Sequence, residues 1–319
     1  MVSDVFYRST LKVSCVFLGY YRYKDVFQIL ESDKSGPTPD HKYVDIEFND
    51  KYMMNKEWEF KNVFGQAYGH LDLLQELIAL LHICTNQSCE LDTDGMGAKP
   101  LPQKIIQGFT PVEKEPHSSP MEKSDTRILE RMNPGLAFIE IQSQSELLLD
   151  NYFRLDDLSR SRINSSLFLQ NKMRQIILIS ASMGVVGYIS SIENLVDFEG
   201  ERNGFESKKC ESCKQPVYSI TRRFNDFMNK YSEENFKVQN DVKGVYRTQQ
   251  EFDGLSFKKL IGEFYKKRSS ITHAGDILRI DKMLSSFSMK DVRFFNEVET
   301  HARIALFSYI LNFDFKIDG

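Results

Sequence analysis

The sequence predicts an α+β protein, with a mixed α/β domain first and an all-α four-helix bundle after it. Three observations point there. Residues 42–48 alternate in polarity at the two-residue period of a half-buried strand. From about residue 161 the apolar residues instead recur every three or four positions, the spacing of a helix face. Between these regions lie Gly95, Gly97, Pro100, Pro102, Gly108, Pro111, Pro116, Ser118, Ser119 and Pro120, which predict a long loop and a domain boundary. The division expected is residues 1–125 for the N-terminal domain, 126–160 for a connecting segment and 161–319 for the helical domain.

In chain order, strands are expected over residues 11–18 and 42–48, both containing β-branched and aromatic residues, with Gly36, Pro37 and Pro39 marking a loop between them. A helix is expected over 68–82, where Leu71, Leu74, Leu77, Ile78 and Leu81 share a face. A short strand at 136–141 and a helical segment around 143–159 follow. The bundle opens with one long helix over 165–195, apolar on more than one side. A second helix covers 220–231 and a third 256–270, with Phe257, Leu260, Ile261 and Phe264 as its apolar stripe. The fourth starts at Ser288 with Asp291 three residues on, a capping-box-like start. Val292, Phe295, Val298, Ala302, Ala305 and Tyr309 continue its period, and four helices in succession suggest a bundle.

A net charge of −4 gives no global positive field, so any contact with RNA must use a local basic patch. Residues 1–5 lack a basic, then apolar, leader. The apolar run 176–192 is interrupted by Ser180, Ser182, Gly184, Gly187, Ser190 and Ser191, which reads as a buried helix rather than a membrane span. With only five cysteines, an odd number, a cytoplasmic protein with reduced thiols is expected. Cys210 and Cys213 have the spacing of half a zinc knuckle and are candidate ligands of a structural zinc, which Cys84 and Cys89 could complete if the two pairs meet; the alternative for either pair is plain reduced thiols. No Gly-rich phosphate loop is present, and His301 reads as a surface or packing residue.

The segment with most chemical content runs from Tyr265 to Gly275 and carries Arg268 and His273. An imidazole moves protons near neutral pH, and a guanidinium holds a phosphate while staying charged. Arg268 lies four residues after Phe264 and seven after Ile261, so it extends the buried stripe. Lys258, Lys259, Lys266 and Lys267 surround it in sequence. On an unbroken helix, five positions turn His273 about 140° away from Arg268. Convergence therefore requires the helix to loosen near Ser270, or a second chain to complete the pair. Ala274 and Gly275 supply a helix stop. Alternatively, such an arginine binds a carboxylate or carbonyls, and the histidine merely caps the helix.

The stretch from Phe264 to Gly275 resembles the signature of HEPN domains, above all the Apea-like branch, in which an aromatic-containing helix runs into Arg-Ser and the histidine is followed by small residues and glycine. The helix order over 161–319 fits that resemblance, and Glu193 matches an acidic position common in these domains. Residues 1–125 carry no such resemblance. It implies a metal-independent ribonuclease, acting as a homodimer and needing no catalytic cofactor. His273 would exchange protons with a ribose 2′-OH or the leaving 5′-oxygen, and Arg268 would bind the scissile phosphate. Ser269, Thr272, Lys266 and Lys267 would contact the RNA, with Glu193 in support. It further implies a toxin or anti-phage effector, with a phage- or stress-derived trigger sensed by the N-terminal domain. Gly275 stands where nucleotidyl-modified toxins of this kind have tyrosine, which disfavours that variant. A non-catalytic HEPN-like module that dimerises or binds RNA or protein is the alternative, and a zinc-stabilised regulator a third reading.

Overall fold

A computed structural model describes residues 5–13, 17, 19–34, 42–54, 69–85, 88–92, 97–102, 108–113, 144–176, 179–205, 220–241, 256–282 and 289–315. Of these, the residues up to Arg160 form one compact unit and those from Ser161 onward a second. The described part of the segment 126–160 thus falls with the N-terminal unit.

The first unit is built on an antiparallel sheet of β1 (Phe6–Val13), β2 (Tyr20–Tyr23), β3 (Phe27–Glu31), β4 (Lys42–Asn49), β5 (Cys89–Leu91) and β6 (Lys99–Pro100). The order is β2-β3-β4-β1-β5, with β6 also on β1. β4 is where the alternation placed it. β1 begins five residues earlier than expected, and the β2–β3 hairpin has no counterpart in the sequence reading. Its turn uses Lys24 at φ 48°, a position where glycine or asparagine is the usual signal. The strand expected at 136–141 lies outside the described residues.

Alternation gives the sheet two different faces. Leu11, Ile46, Phe48, Phe27 and Ile29 are buried on one side, where α1 (His70–Thr85) packs and its His70 ring stacks on Tyr7 at 4.2 Å. Leu74, Leu77, Ile78 and Leu81 of α1 are buried as the periodicity predicts, but Leu71 is exposed. The other face carries a polar row, Arg22–Gln28–Glu47–Arg8, one residue from each of four neighbouring strands in direct register.

α2 (Ser145–Tyr152) and the start of α3 (Asp157–Ile176) close the unit around a buried charge. Glu76 of α1 accepts hydrogen bonds from Tyr152 at 2.8 Å and from Nε of Arg160 at 2.8 Å. Burial, with that carboxylate beside it, pushes the Tyr152 hydroxyl well above the usual tyrosine range.

The second unit holds the rest of α3 with α4 (Ala181–Arg202), α5 (Ile220–Asp241), α6 (Phe257–Ala274) and α7 (Met289–Leu311). The single helix expected over 165–195 is two helices, α3 and α4. Ser180, extended at φ −157°, caps α4 by accepting from the Met183 N–H. Asp281 adds its carboxylate, accepting from Ala181 N at 2.7 Å and Ser182 N at 2.8 Å. That second cap comes from far along the chain, so local periodicity could not show the break. α5 also runs ten residues beyond the expected end at 231.

α4 packs on α5, α6 and α7, and α5 packs on α6 and α7, giving four mutually packed helices. The small residues within 180–191 explain how α3 joins them. A Cβ on Gly187 would meet Met173 Sδ at 2.1 Å, and one on Gly184 would meet Phe295 at 2.5 Å, so both glycines permit close helix approach. Ser166 bonds the Ser191 carbonyl at 2.7 Å, Gln170 the Ala302 carbonyl at 3.2 Å, and Arg174 the buried Glu299 at 3.0 Å. Among the described residues, no helix is long and apolar enough to cross a membrane.

Arg160→Ala leaves Glu76 a buried carboxylate without its charge partner. The expected loss is about 3–5 kcal/mol, read as a lower urea midpoint, and a Glu76→Leu/Arg160→Met pair should recover most of it. An unchanged midpoint in the single variant would contradict this role.

Candidate functional site

α6 forms where the apolar spacing predicts. Phe257, Leu260, Ile261 and Phe264 are all buried, and the helix continues through Ser270 to Ala274. Gly275 ends it at φ 66°, a left-handed conformation that costs glycine little. The expected stop is therefore present, while the loosening near Ser270 is not.

Arg268 extends the buried stripe. Its Nη2 donates to Glu193 Oε2 of α4 at 3.0 Å, and its side chain is 22% exposed. Tyr265, one turn earlier on the same face, donates its hydroxyl to the other oxygen, Oε1, at 3.0 Å. The Tyr265 ring lies 5.9 Å from the guanidinium carbon and packs against Phe224. One carboxylate thus orients two donors of α6, and the buried Arg268 Nε has no hydrogen-bond partner among the described residues. The sequence reading included Glu193 and Arg268 but missed Tyr265. Its position three residues before Arg268 on the helix was the available signal.

His273 is exposed in the last turn of α6 and makes no side-chain hydrogen bond to a described residue. With no break in the helix, it projects about 140° from Arg268. Lys259, Lys266 and His273 are all exposed and stand seven residues apart, so they share one outer face of α6. Ser269 is half-buried beside that face. The Thr272 hydroxyl turns back to its own helix, donating to the Arg268 carbonyl at 2.9 Å. Lys267 pairs with Asp276 at 2.8 Å and Lys266 with Glu263 at 3.9 Å. These exposed pairs are weak and do not remove the basic residues from reach of a polyanion.

The loop after His273 is fixed in place. Asp276 accepts from Lys267 and from Ser270, and those bonds hold its carboxyl below the usual aspartate range. Leu278 N–H donates to Ser182 Oγ at 2.7 Å, and the Arg279 N–H donates to Asp291 at 2.5 Å. Asp291 thus serves the 279–280 turn; Ser288, the expected cap, lies outside the described residues. Burial works to raise the Asp281 carboxyl, but bonds from Ser182, Ala181 and Ser180 bring it below the ordinary value.

The remaining candidates do not join this site. His301 is a packing residue, fully buried, with Nδ1 2.9 Å from Ser232 and its ring against Phe257. Ser232 is buried too, so this pair is out of reach of a substrate. Cys84 lies in the last turn of α1 and Cys89 opens β5; both are buried and neither is in a disulfide. Cys210 and Cys213 lie outside the described residues. Among the described residues, no group of three or more His, Cys, Asp or Glu side chains is placed to hold a metal ion.

Comparison of the chain with protein-family models, curated proteins and solved structures finds no match.

Asp281→Ala should cost about 1–2 kcal/mol at pH 7, the worth of a helix cap. Because the folded carboxyl sits below its ordinary value, that stability is present above about pH 4 and lost as pH falls through the folded value. Thermal melts should therefore show wild type and variant converging below pH 4; a gap that persists into acid would contradict the capping role.

Proposed function

We propose that the protein is an endoribonuclease of the HEPN type, cleaving RNA at a site that combines Arg268 of one chain with His273 of another. The observation that carries this reading is the arrangement on α6. Arg268 is set on the packed side by Glu193 and Tyr265, and His273 stands exposed on the outer face beside Lys259 and Lys266. Within one chain the two cannot face the same phosphate, so a second copy completes the site.

The chemistry needs only these groups and the RNA. His273 takes the proton of the ribose 2′-OH as that oxygen attacks phosphorus. The P–O5′ bond breaks, and the departing 5′-oxygen takes back the proton that His273 removed, leaving as a hydroxyl and returning the imidazole to its neutral form. The products are a 2′,3′-cyclic phosphate and a 5′-OH end. Arg268 stabilises the charge that builds on the phosphoryl oxygens. DNA lacks the nucleophile. Lys259 and Lys266 track the backbone, with Ser269 nearby as a hydrogen-bonding group. Such an activity suits a toxin or anti-phage effector restrained until a trigger reaches the N-terminal unit.

One observation favours the non-catalytic alternative. The Glu193–Arg268 pair with Tyr265 also works as a plain tie between α4 and α6, which a dimerising or binding module would need equally.

The test incubates purified protein, with EDTA, with single-stranded RNA and with DNA. Cleavage of RNA alone is expected, reduced about 100-fold or more by His273→Ala and by Arg268→Ala. Equal RNA cleavage by wild type and His273→Ala would overturn the assignment. Growth arrest on expression, relieved by His273→Ala, reads the same activity in cells.

A further inference from the structure

The polar face of the N-terminal sheet has a feature that the proposed nuclease site does not use. Glu47, in the middle of β4, is fully buried, as is Gln28 beside it on β3. The two are linked at 2.6 Å, Arg8 of β1 donates Nε to Glu47 at 2.8 Å, and Arg22 of β2 donates to Gln28 at 2.6 Å. A charged row of this kind at the centre of a sheet is costly to bury unless its remaining bonds are met.

They are met by a short piece of the same chain that joins no strand. Every polar group of Thr110 is engaged. Its N–H donates to Glu47 at 2.8 Å and its hydroxyl to Glu47 at 2.5 Å. That hydroxyl also accepts from Arg8 at 2.7 Å, and its carbonyl accepts from Gln28 at 3.0 Å. The preceding residue, Phe109, sets its ring edge-on to Phe6 at 4.9 Å and under the Arg22 guanidinium at 5.3 Å. Both residues are only half-buried, and a Cβ on Gly108 would meet nothing within 4 Å. The backbone of Thr110 is thus read by side chains of the sheet, as the backbone of a bound peptide is, and not by a neighbouring strand.

We propose that this face is a peptide-binding site, occupied in cis by Phe109 and Thr110, which accepts an extended segment of a partner protein carrying an aromatic residue followed by threonine. The threonine supplies the N–H, hydroxyl and carbonyl that Glu47, Arg8 and Gln28 require. The aromatic ring fills the place between Phe6 and Arg22. A competitor without the hydroxyl leaves Glu47 and Arg8 short of a bond. The site stands independently of the nuclease reading.

The test uses fluorescence anisotropy of a labelled peptide with the sequence of residues 108–113. The full chain is compared with its Phe109→Ala/Thr110→Ala variant, in which the cis segment no longer competes. Saturable binding to the double variant is expected, about tenfold or more tighter than to wild type. Glu47→Gln added to that variant, or Thr110→Val within the peptide, should weaken binding about tenfold or more. Absence of saturable binding to a folded double variant would overturn the proposal, as would equal binding of the valine peptide. Should the double variant not fold, excess peptide added to the wild-type chain is expected to speed hydrogen exchange at the Thr110 amide, and unchanged exchange would overturn the proposal instead.

Discussion

The carboxylate of Glu193 sets the rotation of α6 about its own axis. It takes Tyr265 on one oxygen and Arg268 on the other, so the helix meets α4 with a defined face. Because α6 is hydrogen-bonded without interruption to Ala274, fixing Arg268 also fixes every later side chain at 100° per residue. His273 is thereby directed outward, in line with Lys266 and Lys259. The two residues that look paired in sequence are separated in space by the regularity of the helix that carries them.

The same regularity makes the segment after α6 decisive for how His273 is presented. Gly275 stops the helix, and Asp276, Leu278 and Asp281 tie the following turn to α6 and to the start of α4. Asp281 serves twice, holding that turn and capping α4. The break between α3 and α4 and the placement of the His273 end of α6 therefore depend on one carboxylate, which accepts from Ser180, Ala181 and Ser182.

Much of this was legible from residue spacing. The alternation over 42–48 located β4, the leucines of α1 located its buried face, and the stripe from Phe257 to Phe264 located α6 and placed Arg268 on its packed side. Where the sequence reading failed, a long-range interaction had replaced a local signal. The α3–α4 break is capped partly by Asp281, and the β2–β3 turn uses Lys24, whose side chain reaches Asp150. The three-residue spacing puts Tyr265 on the Arg268 face of α6, but its role comes from Glu193 opposite, which that spacing alone does not state. The polar row on the sheet was invisible for the same reason, since Arg8, Gln28 and Glu47 are distant in sequence and meet through strand register, and Thr110 reaches them from outside the strands.

The most direct measurement is complementation between chains. Arg268→Ala and His273→Ala proteins are each assayed on RNA alone, then after mixing and re-equilibration of subunits. A site built from Arg268 of one chain and His273 of the other is whole in one of the two grooves of each mixed dimer. The mixture should therefore recover about a quarter of the wild-type rate although neither variant cleaves alone. A mixture as silent as its components, under conditions where the wild type cleaves and subunits exchange, would contradict a site completed by the second copy.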